Sequence, residues 1–479
     1  MSEIDIERYF RPDLKKARKR SKDSIDEVAF NLPDRYTRLG ITRTYSIQSY
    51  GCQANEADSE TMAGILELMG FTKAHDETDS DLIIINTCAI RENAENRIWG
   101  ELGRLKAQKR RNPDLILALA GCMAQEENVV ERVLKKYQHV DMVFGTHNIH
   151  RLPEYIETAM MSKERVIEVY SKEGEIVENL PKVRHNHFKA WVNIMFGCDE
   201  FCTYCIVPYT RGKERSRRKE DVIEEVKELV AQGYLEVTLL GQNVNAYGKD
   251  FSDVDYTFGD LLRDLNDTGI ERIRFTTSHP HDLDVKTMEA IRDCYHVMPY
   301  FHLPVQSGSE RILKHMNRHY TKERYLEVLK QLKNTVPGIS VTTDIIVGFP
   351  GETEEDFLDT LDLVDQADFE GAFTFVFSPR EGTPAAHYED DTPEELKKQR
   401  LYQLNDKINA GYLKGNQRFE GKTVKVLVDG VSKHDDTILA GYTEHNKLIN
   451  FKGDHALIGK LIDVRVTEAK TWFLLGEAV

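Results

Sequence analysis

From Arg43 onward two hydrophobic rhythms replace one another along the chain. Short apolar or alternating runs, TRTYSIQSY (42–50), DLIIIN (81–86) and DLILALA (114–120), read as strands. Between them, Ala54–Gly70 carries Met62, Ile65, Leu66, Leu68 and Met69 at helical spacing and ends on a glycine, and 93–109 repeats the helical pattern. Strand–helix alternation of this kind predicts a parallel α/β sheet. A longer alternation starts near His185, with strand candidates AWVNIMFG, LEVTLLG, RIRFTTS, MPYFHLPV, ISVTTDIIVGF and GAFTFVFS. Helical patterns near 217–231, 258–268, 284–294, 321–335 and 353–367 separate them, and a last helix follows at 392–415. Six such units are too few for an eight-stranded barrel and predict a partial, open (β/α)6 barrel. The segment 416–477 has no long helical pattern; KTVKVLVDG, TILAGYTE, NKLINFKG and KLIDVRVTEA predict a small β-barrel, used either for nucleic acid or only structurally.

The expected organisation is therefore a charged N-terminal extension (1–42), an α/β domain (43–159), a polar linker with a hairpin-like pattern (160–183), the barrel core (184–411) and the small β-barrel (412–477). A chain of 479 residues suits two or three domains, and 40% hydrophobic with 30% charged residues suits a soluble globular protein. The charged start, MSEIDIERYFRPDLKKARKRSKD, lacks a signal-peptide core, and no apolar run spans a bilayer. A cytoplasmic location without a membrane partner is expected. Seven cysteines, an odd number, then point to thiols kept reduced for metal binding or catalysis rather than to disulfides. The net charge of −16 does not advertise a nucleic-acid binder, yet basic clusters lie at Arg11 to Lys22, Arg104 to Arg111 and Arg211 to Lys219. Each reads as phosphate contacts or as a solvated face.

The cysteine spacing changes this picture most. Cys198, Cys202 and Cys205 stand in CDEFCTYC just past the first barrel strand. Three thiolates at one turn suit an iron–sulfur cubane that keeps one iron open, or a zinc knuckle with a distant fourth ligand. Cys52, Cys88 and Cys122 each follow a strand of the first domain. Carboxyl ends of parallel strands share one edge, so these three converge as a second cluster site, unless each is a small buried hydrophobe. Cys294 reads as a core thiol, and His279, His281 and His302 carry no assignment.

The runs YGCQANEADSE, NTCAIRENAENR, AGCMAQ, FGTHNIHRLPE, FGCDEFCTYCIVPYTRGKERSR, LLGQNVNAYG, HLPVQSGS, MNRHYT and DIIVGFPGETEEDF resemble the radical S-adenosylmethionine methylthiotransferases, from residue 43 to about 477. The sequence departs from the family pattern at Ala54, where methionine is frequent, and in its long extension. The resemblance implies a methylthiotransferase domain, a radical S-adenosylmethionine core and a C-terminal TRAM domain that grips tRNA. It implies one 4Fe-4S cluster on Cys198, Cys202 and Cys205, which cleaves S-adenosylmethionine. An auxiliary 4Fe-4S cluster on Cys52, Cys88 and Cys122 would carry the transferred sulfur, with two S-adenosylmethionine molecules used per turnover. Tyr204 fits the aromatic position against the cofactor adenine; Gln242, Asn243, Gln306, Ser307, Gly348 and Gly351 are the expected cofactor contacts at strand ends. The implied reaction is methylthiolation of C2 of N6-isopentenyladenosine in the anticodon stem-loop of tRNA, at position 37. Flavodoxin or ferredoxin would be the reducing partner, beside a separate sulfur donor. The same chemistry on threonylcarbamoyladenosine or a ribosomal-protein aspartate is the near alternative; a non-catalytic zinc RNA-binding module is the distant one.

Overall fold

The computed structural model describes residues 26–89, 92–162, 165–169, 175–433 and 435–479, so the basic run Arg11 to Lys22 lies outside the described residues. The first domain is built on Thr44–Tyr50 (β1), Gln53–Leu68 (α1), Leu82–Thr87 (β2), Glu92–Arg111 (α2), Ile116–Gly121 (β3), Met142–Phe144 (β4) and Val166–Glu168 (β5). Its strands form one parallel sheet in the order β1-β2-β3-β4-β5, with the short strand Thr72–Lys73 at the β1 edge. Both faces are covered, which is why β2 and β3 are buried at every position and read as continuous apolar runs. Ile84 and Ala118 face one apolar layer, with Met62, Ile65 and Leu66 of α1; Ile83, Ile85, Leu117 and Leu119 face the other, with Ile98, Leu102 and Leu105 of α2.

The expected linker differs from its reading. The helix Leu152–Ser162 and β5 complete the first sheet, and Glu175–Glu178 pairs in parallel with Asp26–Ala29 instead of closing a hairpin. Three- and four-residue strands are too short to show periodicity, and their stability comes from a neighbour's backbone groups, which local sequence does not report.

Six strands follow: Lys189–Asn193 (β6), Glu236–Leu240 (β7), Arg272–Phe275 (β8), Tyr300–His302 (β9), Ser340–Val347 (β10) and Ala372–Val376 (β11). They form two parallel runs, β6-β7-β8 and β9-β10-β11, joined by a parallel bridge between Ile273 and Val297. β6 and β11 are the outer strands, so the barrel is partial, as expected. A short helix, Glu310–His315, was not foreseen.

The C-terminal strands Thr423–Ser432 (β12), Asp435–Thr443 (β13), Leu448–Lys452 (β14), Leu461–Ala469 (β15) and Leu474–Ala478 (β16) close a five-stranded barrel in the order β12-β13-β14-β16-β15. This barrel sits under the amino-terminal end of the central one. There Arg272 donates to the carbonyls of Tyr442 (2.9 Å) and Lys425 (2.8 Å), and Arg274 donates to the Thr443 carbonyl (2.8 Å). The opposite rim, at the carboxyl ends of the strands, is left for chemistry.

Candidate functional site

Register brings the first three cysteines together. Tyr50 pairs with Thr87, and Thr87 with Gly121, so Cys52, Cys88 and Cys122 leave one row of the sheet on adjacent strands. Gly121 has φ +98°, and a side chain there would strike the Asn86 side chain and the Thr87 backbone. Cys52 is the N-cap of α1. Asn55, one turn on, places Oδ1 3.4 Å from the Cys52 sulfur, while its Nδ2 donates to the Thr87 carbonyl (3.1 Å). Asn86 returns the tie, donating to the Asn55 carbonyl (2.7 Å) and to Ser59 (2.9 Å).

Arg211 reaches this row from the other half of the molecule. Its Nε is 3.1 Å from the Cys122 sulfur and its Nη2 is 2.7 Å from Oδ2 of the buried Asp58. The Cys52 thiol is pulled down to about 5, first by a hydrogen bond from Cys88, against burial, then by the Arg211 charge. Burial pushes Cys122 up to about 11. The sign for Cys52 is that of an acid depressed in the fold: it is thiolate at neutral pH and takes a proton only as the pH falls through about 5. In iron-free protein at about pH 6.5, iodoacetamide will therefore alkylate Cys52 well before Cys122. Peptide mass spectrometry over a pH series checks this; equal rates at both thiols would refute it.

The second set follows β6. Cys198 N donates to the Gly212 carbonyl (3.0 Å), and Cys205 N to that of Cys202 (3.0 Å). The segment 316–321, MNRHYT, cradles this loop. Thr203 N donates to the Met316 carbonyl (3.0 Å), and Asn317 Nδ2 to those of Phe201 (2.9 Å) and Glu200 (3.3 Å). Arg318, buried, lies 3.4 Å from the Cys202 sulfur and donates to Tyr320 (2.7 Å) and the Pro304 carbonyl (2.9 Å). Burial, and then the neighbouring Cys202 thiol, pushes Cys205 up to about 12; Cys198 is raised well above its ordinary value by burial, Glu214 and the other two sulfurs. Asn317 has φ +58°, which glycine accepts, so Asn317→Gly removes only the amide. It should cost about 1–3 kcal/mol by leaving two loop carbonyls without a donor. Denaturant unfolding and iron content of the reconstituted protein are the measurements; an unchanged midpoint would show that the amide does not hold the loop.

The loops that carry the two sets meet. Ala89 and Cys122, from one side, pack with Ile206 and Tyr209, from the other, and Phe201 lies against them. Thr146 donates to the Thr210 carbonyl (3.1 Å) across the same seam. Among the described residues, one group of three or more ligating side chains draws within 4.8 Å, namely Glu200, His279, His281 and Asp282, and neither cysteine set does so. Cys294 is buried in the barrel core. Of the histidines left unassigned in the sequence, His279 and His281 thus belong to a polar cluster, which Lys249 joins through Asp282, whereas His302 lies against Thr342 and Asp344. The run SHPHD (278–282) was its only local trace.

The expected rim residues divide. Tyr204 packs with Ile312, Met316, Phe349 and Phe377 beside its neighbouring cysteines. Asn243 donates to Asp282 (2.5 Å), and its Oδ1, with Gln242 Oε1 and both amide atoms of Asn245, has no hydrogen-bond partner, as an absent polar ligand would leave them. Gln306, at φ +70°, is held by main-chain bonds to Asp344 and Ile346. Ser307 is a different case: its hydroxyl turns to Thr360 (3.4 Å) and accepts from Ser309 N (3.2 Å), away from the mouth. At Gly348 the close approach is made by the Lys397 methylenes rather than by a ligand, while Gly351, φ +78°, shapes the turn after β10.

The basic cluster Arg211 to Lys219 divides: Arg218 is exposed and Lys213 and Lys219 are half-buried, but its other arginines are not solvated. Arg211, Arg215 and Arg217 are buried, and Arg217 bridges Glu178 (2.6 Å) and Glu225 (2.7 Å) between the two halves. Local charge density does not reveal partners so distant in sequence. On α2, in contrast, Arg104 pairs with Glu77 and Glu101, and Lys109 with Asp141 (2.8 Å), along an ion-paired helix face.

Comparison with known proteins agrees with this geometry. The chain matches the Radical SAM superfamily over residues 192–364, the Uncharacterized protein family UPF0004 over 44–145 and the TRAM domain over 417–479. It is 55% identical to the tRNA-2-methylthio-N(6)-dimethylallyladenosine synthase of Oceanobacillus iheyensis, over 100% of this chain and 94% of the relative. The synthases so named from Bacillus cytotoxicus (55%, 100% and 95%) and Geobacillus kaustophilus (55%, 99% and 91%) are equally similar. Among solved structures, the radical S-adenosylmethionine methyltransferase TsrM from Kitasatospora setae shares the fold, with TM-score 0.54 and 16% identity over 72% of this chain and 75% of that one.

Proposed function

Because the chain belongs to the family of tRNA-2-methylthio-N(6)-dimethylallyladenosine synthases, within the radical SAM superfamily, we propose that it methylthiolates C2 of N6-isopentenyladenosine at position 37 of tRNA, beside the anticodon. The observation that carries this reading is that the loops bearing the two cysteine triplets meet at one apolar seam of Ala89, Cys122, Ile206 and Tyr209, with Phe201 against it. Cys198, Cys202 and Cys205 would hold the cluster that opens S-adenosylmethionine to radical chemistry, and Cys52, Cys88 and Cys122 a second 4Fe-4S cluster supplying sulfur, with one S-adenosylmethionine consumed for the methyl group and one for hydrogen abstraction.

The protein's own part is placement and charge. Arg318 beside Cys202 and Arg211 beside Cys122 offset thiolate charge in buried surroundings. Phe201, Ile206 and Tyr209 keep water from the seam. Tyr204, the unpartnered amide oxygens of Gln242 and Asn243 and the unpartnered amide of Asn245 form the cofactor pocket. The adenine must leave its stack to enter, which costs least in an anticodon loop, and the TRAM barrel under the core would hold the RNA meanwhile. A flavodoxin or ferredoxin as reductant and a separate sulfur donor complete the reading. Among the described residues no helix is long and apolar enough to cross a membrane, and the cytoplasm is the proposed setting.

Nucleoside mass spectrometry of tRNA from a deletion strain tests the substrate. 2-Methylthio-N6-isopentenyladenosine should vanish while N6-isopentenyladenosine accumulates. Loss of methylthiolated threonylcarbamoyladenosine instead would favour the near alternative. A colourless, zinc-only protein after anaerobic reconstitution would sink the radical chemistry altogether.

A further inference from the structure

Side chains of β11 alternate between two environments. Thr374 turns outward and donates to Asn405 (2.5 Å) on the helix Glu394–Gln417, and Ala372 and Val376 pack into the layer between barrel and helices. Phe373 and Phe375 therefore point the other way, into the lumen. There they are 55% and 50% exposed. The parallel register sets Asp344 beside Phe373 and Ile346 beside Phe375, on the same lumen face. His302 stands next to them, its ring centre 5.9 Å from that of Phe373. Ile346 packs on the apolar cluster that contains Tyr204, Met316 and Phe349. The strip thus runs from the mouth beside the Cys198 set down into the barrel.

Two half-bare phenylalanines on one strand face are costly to leave in water, and exposed apolar surface of this kind marks a binding site. The polar groups beside them are engaged with each other: His302 lies 3.0 Å from Thr342 through Nδ1 and 3.4 Å from Asp344 through Nε2. The face consequently offers dispersion and area, with few free donors or acceptors. A branched five-carbon arm without polar atoms is the ligand chemistry that fits it. We propose that Phe373 and Phe375, with Ile346, form the wall that receives the isoprenoid arm of the substrate adenine and so selects the prenylated nucleoside over unmodified adenosine. The inference rests on the proposed substrate.

The test uses reconstituted holoenzyme and two anticodon stem-loop RNAs, identical except for adenosine or N6-isopentenyladenosine at the target. Fluorescence anisotropy should show wild-type protein preferring the prenylated RNA by roughly ten- to a hundredfold. Phe373→Ala/Phe375→Ala should bring that ratio to within about threefold, by weakening only the prenylated RNA. Phe373→Leu/Phe375→Leu, which keeps an apolar wall, should retain most of the preference, and a thermal melt confirms that each variant is folded. A ratio unchanged in the alanine variant would overturn the proposal. Equal weakening of both RNAs would also overturn it, because the rings would then be stacking on the base. A wild-type protein that binds both RNAs equally would remove the substrate reading itself, which separates the two failures.

Discussion

Cys52→Ala protein will still cleave S-adenosylmethionine to 5′-deoxyadenosine, but it will form no methylthiolated adenosine; Cys198→Ala protein will do neither. The two thiols sit in different sets on different elements, Cys52 capping α1 and Cys198 following β6. The seam between them is made by other residues, Ala89, Cys122, Ile206 and Tyr209. Losing one ligand should therefore leave the other set's loop intact. Each variant should retain about half of the wild-type iron after reconstitution, since each keeps one complete three-thiolate site. Chromatography for 5′-deoxyadenosine, iron analysis and nucleoside mass spectrometry read the three quantities separately. Methylthiolated product from Cys52→Ala would show that the first-domain triplet does not hold the transferred sulfur.

Arg211→Ala should have the largest effect on stability, about 3–5 kcal/mol, because it strands the buried Asp58 without its cation. In the wild-type fold, burial raises the Asp58 carboxyl and Arg211 opposes that rise. Without the guanidinium, the folded-state pKa climbs further above the unfolded value near 3.9. Such a group contributes stability below the unfolded pKa and loses it as the pH rises through the folded one. The deficit of Arg211→Ala should therefore grow as the pH rises above the unfolded carboxylate value. Asp58→Asn in the same chain should recover most of it, because the amide carries no charge to strand. Urea unfolding at several pH values, run as a double-mutant cycle, measures both effects. A deficit independent of pH and unrelieved by Asp58→Asn would show that Arg211 acts by packing alone. Because Arg211 also touches Cys122, the single variant should lose iron from the first-domain set before the other.

Much of this arrangement is legible in local sequence. The CDEFCTYC run is a loop motif whose three cysteines lie close together in the chain. The apolar runs of β2 and β3 announce strands buried on both faces, and the cysteine after each announces a shared edge. Other features left no such trace. The run around Arg211 looks like any basic patch until Asp58, 153 positions away, supplies the carboxylate. Ser307 reads as a rim hydroxyl, but its rotation toward Thr360 is set by packing under the loop. Phe373 and Phe375 look like ordinary strand apolar residues; only the outward bond of Thr374 shows which face they take.

The sequence by itself determined the ligand types, the strand–helix alternation and the family, because these depend on residue identity and short-range periodicity. The tertiary structure decided that the loops of the two cysteine sets meet, that Arg211 and Arg217 bridge carboxylates distant in sequence, and that Phe373 and Phe375 stand half-exposed beside Asp344 and Ile346. Those facts depend on parallel register and on contacts between residues tens to hundreds of positions apart. Such contacts gain their energy only once desolvated in the folded chain, so no local pattern encodes them.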